Sequence, residues 1–313
     1  MKVAASSDIF DDPEGVLVPE IDGEWWQIAG NPDLGEFNSD EQQPAAFGMW
    51  QAADGTWQLW GCIRNTNVGG QTRLFYRWEG AQITDTEWEP KGIAMTAEPD
   101  YGETPGGLQT PHATLIGDEY LMVYGDWENI CLARSDDGKS FVRQLGDDRD
   151  PAKTGKAGMF NEGRGTSTRD PMITKIGDLY HVYYTANPGG VGSVYARTSA
   201  DLRTWSDPVI VSAGGSAGSD CHDGEEPYVL FRDDEQAFYL FRTHSQPGTE
   251  AMMTSVYRST DPLDFGVGRD DKLVTTLQAE ASWIMQEGHA TYITAVMPGL
   301  QGFRVARLEW VRR

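Results

Sequence analysis

Two short motifs contain the residues of this chain whose types and positions suit acid–base chemistry. Arg169-Asp170-Pro171 and Glu225-Glu226-Pro227 each place a carboxylate close before a proline, at the entry of a predicted strand. A proline there removes one backbone donor and favours an extended residue before it. If two such carboxylates face one another, one can protonate a leaving oxygen while the other attacks or activates water. This is the chemistry that cleaves glycosidic bonds.

The elements that position these motifs form a unit that recurs about five times, at a spacing of roughly 55–65 residues. Each unit has a turn followed by an aromatic-rich second strand, as in residues 55–60, 117–124, 177–184, 235–241 and 288–293. Third strands follow at residues 72–78, 130–135, 193–199, 254–259 and 302–310. No window of helical length carries an apolar stripe at helical spacing.

This repetition predicts an all-β fold, a single five-bladed β-propeller spanning residues 1–313. Equivalent points of radial repeats converge on one axis, so carboxylates at similar points of successive units meet in space. Residues 1–40 are expected to be irregular and acidic, and to pack on the outside of the propeller or close its last blade. The alternative is a β-sandwich whose hairpins resemble one another by accident.

The charge balance limits the classes of partner. With 25 basic and 48 acidic residues, the net charge is −23. Nucleic acids and anionic membranes attract basic patches, so neither partner is expected. Most of the 11 Trp and 12 Tyr are expected in the core, and a few at a pocket mouth can stack on sugar rings.

Cysteine content and apolar runs bear on the compartment. Cys62, Cys131 and Cys221 lie too far apart in sequence for a disulfide framework or a zinc pattern, and an odd count suits a reducing compartment. No metal or cofactor is expected. No apolar run approaches the ~18 residues of a membrane span, and residues 1–8 lack the apolar segment of a secretory signal. The compartment stays open: cytoplasmic, or periplasmic or secreted if a signal has been removed. The oligomeric state is equally open.

The two motifs, together with Ser-x-Asp-x-x-x-Trp/Phe blade endings, resemble the five-bladed β-propeller glycoside hydrolases of families 32, 68 and 43 over nearly the whole chain. The resemblance implies that Asp170 is a transition-state stabiliser, that Arg169 reaches substrate hydroxyls and that Glu225 is the general acid. Glu226 is expected to point to the other face, because residues of a strand alternate. The resemblance also implies an oligosaccharide or glycoside substrate.

The chain departs from this pattern in its first unit. Ala46 falls where the resemblance places the nucleophile or base Asp, and an alanine cannot perform that chemistry. Three hypotheses follow: the chain is an inactivated variant, another acid such as Asp40 serves, or the protein is a non-catalytic relative. If the first holds, the chain binds its saccharide but turns it over slowly, and Ala46→Asp increases hydrolysis.

Six residues are substrate-binding candidates: Arg169, Trp127, His112, Arg64, Gln43 and Trp50. Trp127 follows a second strand where the chain turns, and Arg64 suits a charge-assisted hydrogen bond to a sugar or carboxylate. The function predicted is an exo-acting glycosidase on a furanoside, either a β-fructofuranoside or an α-L-arabinofuranoside. The alternatives are a non-catalytic glycan-binding propeller, or a transglycosylase or phosphorylase on the same scaffold. A phosphorylase needs clustered basic residues near Asp170, and only Arg164 and Arg169 are close to it in sequence.

Overall fold

Five antiparallel sheets follow one another along the chain in the computed structural model, which describes residues 15–313 except 247, 248 and 250. We call the sheets blades I to V and number the strands in chain order. Blade I contains β2 (Gln43–Gln51), β3 (Trp57–Arg64), β4 (Leu74–Gly80) and β5 (Glu89–Met95). Blade II contains β6 (Gln109–Ile116), β7 (Glu119–Gly125), β8 (Ile130–Ser135), β9 (Val142–Arg143) and β10 (Gly158–Phe160).

The remaining blades have four strands each. Blade III contains β11 (Arg169–Ile176), β12 (Leu179–Ala186), β13 (Ser193–Ser199) and β14 (Val209–Ala213). Blade IV contains β15 (Glu225–Arg232), β16 (Ala237–Ser245), β17 (Met252–Ser259) and β18 (Leu273–Leu277). Blade V contains β19 (Trp283–Glu287), β20 (Ala290–Val296), β21 (Gly302–Arg312) and β1 (Leu17–Gly30). The predicted all-β, five-bladed propeller is confirmed.

Helical structure in the described part of the chain is limited to short 3₁₀ turns, at Gly35–Phe37, Pro99–Tyr101, Pro188–Gly190, Gly215–Ala217 and Pro298–Leu300. No helix among the described residues is long and apolar enough to cross a membrane.

The N-terminal segment completes blade V. Residues 17–30 are not irregular, as the sequence had led us to expect, but form β1, which pairs antiparallel with the C-terminal strand β21 from Leu17–Arg312 to Gly30–Gly302. Val16 and Arg313 exchange backbone hydrogen bonds of 2.9 Å at the end of this ladder. Residues 1–14 of the predicted 1–40 segment lie outside the described residues.

Aromatic side chains fill the space between blades, as predicted. Between blades I and II, Trp50, Trp60 and Phe141 have ring centroids 5.4–5.8 Å apart. The first strands of these blades approach so closely that a Cβ on Gly48 would lie 2.0 Å from the Pro111 carbonyl oxygen. Glycine is therefore required there.

The recurring Ser-x-Asp sequence closes the turn after the third strand. In blade II the Ser135 hydroxyl accepts hydrogen bonds from the backbone of Asp137 and Gly138. In blade III the Ser199 hydroxyl accepts the same bonds from Asp201 and Leu202. These side chains supply the acceptors that the turning backbone lacks, so this repeated motif is explained by structure.

Candidate active site

The first strand of each blade lines the axis, and adjacent first strands contact one another. Three successive layers of equivalent positions result. In blades I to IV, the entry layer consists of the first residue of each first strand that pairs with the second strand. In blade V the equivalent residue is Glu280, because its carbonyl accepts a hydrogen bond from the backbone of Val296 in the second strand. Its members are Gln43, Gln109, Arg169, Glu225 and Glu280.

A β-bulge follows the entry layer and aims the next residue into the funnel. The ladder shifts register after Arg169 and after Glu225, and it resumes at Met172 and Tyr228. Asp170 and Glu226 have positive φ angles of 53° and 46°. We expected an extended residue before the proline, but the bulge imposes a left-handed conformation, of a kind found at functional sites. The same conformation recurs at Thr110 and Ala281, which complete the bulge layer.

This bulge corrects the prediction for Glu226. Simple alternation would send Glu225 and Glu226 to opposite faces, yet both line the same cavity. Glu226, not Glu225, is the equivalent of Asp170, since each directly precedes its proline. That shared proline was the signal in the sequence that identifies Glu226.

The floor layer is the first residue paired after the bulge. Its aromatic members come from blades II, IV and V: the rings of His112 and Trp283 stack at 4.9 Å, and Tyr228 lies 5.4 Å from Trp283. Burial lowers the pKa of His112 to about 3, so it is neutral, and its Nδ1 accepts a hydrogen bond from the Ile173 backbone. These rings lie one layer below the carboxyl-bearing residues, and His112 and Tyr228 line a separate cavity.

Ala46 belongs to the floor layer as well. It pairs with Cys62, just as His112 pairs with Val123. The blade I positions between the entry and floor layers are Pro44 and Ala45. Ala46 therefore touches the funnel but is not the equivalent of Asp170, and it packs in a buried cluster with Trp50 and Trp60. With the extra residue of the bulge counted, Ala46 is equivalent to His112 and Met172, whereas the resemblance places it at a catalytic carboxylate.

The funnel encloses about 550 Å³. It is lined by residues of all five blades, among them four carboxylates and three arginines: Asp170, Glu225, Glu226, Glu280, Arg64, Arg73 and Arg169. Of the predicted substrate-binding residues, Arg64, Trp127 and Arg169 line it. Gln43 accepts two hydrogen bonds from Arg64 at the wall.

Two predicted substrate-binding residues lie elsewhere. Trp50 and His112 line a second cavity of about 760 Å³, which shares no lining residue with the funnel and lies beyond the aromatic floor. Trp50 stands at the far end of β2, and its indole donates to the Gly138 carbonyl. Asp40, the alternative base, is exposed and does not line the funnel.

Arg169 connects two of the acids. Its Nη2 donates to Glu225 Oε1 at 2.6 Å, and its Nε lies 3.3 Å from Asp170 Oδ2. The Thr110 hydroxyl donates to Asp170 Oδ1 at 2.7 Å, and His222 Nδ1 lies 3.0 Å from Glu225 Oε1. Arg169 is itself held by the Ser167 carbonyl and hydroxyl.

The four carboxyl groups differ in protonation. Burial raises the pKa of Glu225, but hydrogen bonding from His222 and the charge of Arg169 outweigh it, so the net shift is downward and Glu225 is ionised. Burial, reinforced by the charges of Asp170, Glu225 and Glu280, raises the pKa of Glu226 well above its ordinary value. Within the described part of the chain, Glu226 Oε2 is also buried without a hydrogen-bond partner. The resemblance implies that Glu225 is the general acid, but a lowered pKa suits a proton donor less well than the raised pKa of Glu226 does.

The other two carboxyls complete the set. Burial raises the pKa of Asp170 against the opposing charge of Arg169. Burial and the charge of Glu225 raise the pKa of Glu280 to about 7. Sequence reasoning missed Glu280, because Ser282 stands where blades II to IV have a proline. Among the described residues, no group of three or more His, Cys, Asp or Glu is arranged to hold a metal ion.

Sequence comparison finds no relative: no protein-family model and no curated protein matches the chain. Solved structures do match. A thermostable family-43 glycoside hydrolase has a TM-score of 0.59 at 17% identity, covering 89% of this chain and 93% of its own. The endo-arabinase of Bacteroides thetaiotaomicron has a TM-score of 0.62 at 12% identity, covering 87% and 94%.

A Bombyx mori family-32 β-fructofuranosidase has a TM-score of 0.57 at 16% identity, covering 96% of this chain and 64% of its own. At these identities the likeness shows the fold. This chain has the five-bladed β-propeller of these glycoside hydrolases, so the resemblance predicted from the motifs is confirmed at the level of the fold.

Proposed function

We propose that this protein is a glycoside hydrolase and that the funnel is its active site. The observation that supports this most directly is the set of carboxyls from blades III, IV and V in one cavity, where the pKa of Glu225 is lowered and that of Glu226 is raised. Cleavage of a glycosidic bond needs one carboxyl in each state.

Glu226 is the proton donor in this proposal. Its Oε2 has no hydrogen-bond partner among the residues that the structure describes, and the leaving oxygen of a substrate supplies an acceptor. Glu225, held ionised by Arg169 and His222, attacks the anomeric carbon or activates a water molecule. Asp170, fixed by Thr110 and Arg169, stabilises the positive charge that develops on the sugar ring. The roles of Glu225 and Glu226 thus differ from those implied by the motifs alone.

The substrate we propose is the terminal sugar of a furanoside. The stacked rings of the floor layer lie one layer below the carboxyls, and a funnel that ends there suits a chain end and hence exo action. Trp127 offers an apolar face at the wall, and Arg64 and Arg169 offer donors to hydroxyl groups. Two matching structures are an endo-arabinase and a β-fructofuranosidase, which supports a β-fructofuranoside or an α-L-arabinofuranoside.

A second candidate is a glycan-binding propeller without catalysis. It is favoured by the first strand of blade I, which lines the funnel with Ala45 and Ala46 and with no carboxylate. The blade II position equivalent to Asp170 is also neutral, as Thr110.

One experiment separates the two candidates. The protein is assayed on a panel of aryl furanosides, short fructans and short arabinans, with binding measured in parallel by calorimetry. Hydrolysis that Glu226→Gln abolishes supports the glycosidase, and the anomer released, followed by NMR, gives retention or inversion. Binding of a glycan with no turnover of any panel member would establish the binding protein instead.

A further inference from the structure

Two of the three funnel arginines differ from the third in their surroundings. Arg169 contacts both Asp170 and Glu225. Among the residues that the structure describes, neither Arg64 nor Arg73 has a carboxylate oxygen within 4.0 Å. Both line the funnel, where the charge of Arg73 acts on Asp170 and that of Arg64 acts on Glu280 without direct contact.

Each of these two guanidinium groups is held in place by a neutral partner. Arg64, the last residue of β3, donates from Nε at 3.1 Å and from Nη2 at 2.8 Å to the amide oxygen of Gln43. Arg73 lies over the indole ring of Trp127, with its Cζ 5.0 Å from the ring centroid. A neutral amide and an aromatic face orient a guanidinium without cancelling its charge.

The positive charge of Arg64 and Arg73 in the funnel contrasts with the negative charge of the chain as a whole. The chain carries a net charge of −23, so its surface repels anions. Guanidinium groups oriented toward a cavity match the geometry of carboxylates and phosphates, which they bind through paired hydrogen bonds. A substrate bearing only neutral hydroxyls does not require two such charges on one wall.

We propose that Arg64 and Arg73 form a subsite for an oxyanion within the funnel. The anion is either the carboxylate of an acidic sugar in the substrate or inorganic phosphate bound beside it. This inference rests on the proposed function for its biological meaning, because it defines the substrate of the same site as an acidic glycan or a glycan bound together with phosphate. Anion binding itself does not depend on turnover.

The test is calorimetric binding at low ionic strength with three probes: D-glucuronate, inorganic phosphate and, as the neutral control, D-glucose. We expect at least one anion to bind at least 10-fold more tightly than glucose. Arg64→Met and Arg73→Met are each expected to weaken that binding by about 10-fold or more, as loss of a hydrogen bond to a charged group does. Arg149→Met is the matched control, because Arg149 is an exposed arginine outside the funnel.

Each outcome has a defined meaning. Tight binding of glucuronate alone assigns the subsite to a sugar carboxylate, and tight binding of phosphate alone assigns it to phosphate. The proposal is overturned if neither anion binds better than glucose, or if the Arg64 and Arg73 variants, folded by circular dichroism, bind like the Arg149 variant. Hydrolysis of neutral furanosides without anion binding would leave the glycosidase standing and remove only the subsite.

Discussion

Glu226 occupies in blade IV the position that Asp170 occupies in blade III: each directly precedes a proline, has a positive φ and lies at the bulge of a first strand. The two carboxyls are therefore aimed into the funnel by the same backbone device. Their surroundings differ. Asp170 accepts a hydrogen bond from Thr110 and forms an ion pair with Arg169, whereas Glu226 Oε2 has no hydrogen-bond partner among the described residues.

Glu226→Gln is expected to lower kcat/KM by about 10²- to 10⁴-fold, the usual contribution of a general acid. The amide keeps the shape but cannot donate a carboxyl proton. Turnover of aryl furanosides with good leaving groups should fall less, because they need little protonation. Asp118→Asn, which changes an exposed acid outside the funnel, is the control. Wild-type rates in the Glu226 variant on a poor leaving group would refute the assignment.

Glu225→Gln removes the carboxylate and is expected to lower the rate of hydrolysis by orders of magnitude while leaving the fold intact. Its partners Arg169 and His222 then lose a charged acceptor, and the pKa of His222, which the hydrogen bond to Glu225 raises, should fall. NMR titration of the His222 ring in both proteins measures this shift. An unchanged titration would show that the Glu225–His222 contact does not form in solution.

Glu280 should make stability fall as pH rises. Its pKa of about 7 in the folded protein exceeds its ordinary value of 4.5, so the folded state binds the proton more tightly. The contribution of Glu280 to the free energy of unfolding is then fully present below about pH 4.5. It is lost progressively as pH rises through 7, by on the order of 3 kcal/mol. Urea unfolding at pH 5 and pH 8 should show a smaller loss in Glu280→Gln than in the wild type. Equal losses in the two proteins would contradict this.

Ala46→Asp is now expected to destabilise the protein by roughly 2–4 kcal/mol without increasing hydrolysis, because it buries a polar group beside Trp50 and Trp60. Ala45→Asp is the matched variant, since Ala45 lines the same funnel but is only half-buried. Urea unfolding and furanoside assays on both variants decide the point. A rate gain of about 10²-fold in Ala46→Asp would restore the role first inferred from the motifs.

Arg242 supports the loop that leads to Glu225. It is fully buried and donates to the carbonyls of Asp223, Gly214 and Gly218. Arg242→Met leaves these acceptors unsatisfied, at a cost of roughly 1–3 kcal/mol each when they stay buried. We expect a lower melting temperature together with a weaker kcat/KM, because His222 lies in this loop. Arg203→Met, which removes an exposed arginine bonded to the Leu145 carbonyl, should change neither quantity.

The repeat and the axial position of Asp170 and Glu225 were predictable, because strand period and turn residues are local properties of the sequence. The protonation states were not, since Glu225 is ionised by Arg169 and His222, and Arg169 comes from another blade. The position of Ala46 was misjudged because a single extra residue at a bulge shifts the register. Arg64 was a candidate from the sequence, but Arg73 was not, because it is far from Asp170 in sequence and lines the funnel only in the folded ring.

The pairing of β1 with β21 constrains the order in which the chain can mature. Residues 17–30 are synthesised before the other described strands, yet their partner, residues 302–312, is synthesised after them all. Blades I to IV can each form from contiguous sequence while synthesis continues, whereas blade V cannot close until residues 302–312 have left the ribosome. Until then β1 exposes an unpaired edge, so the nascent chain remains open to aggregation after four of its blades have formed.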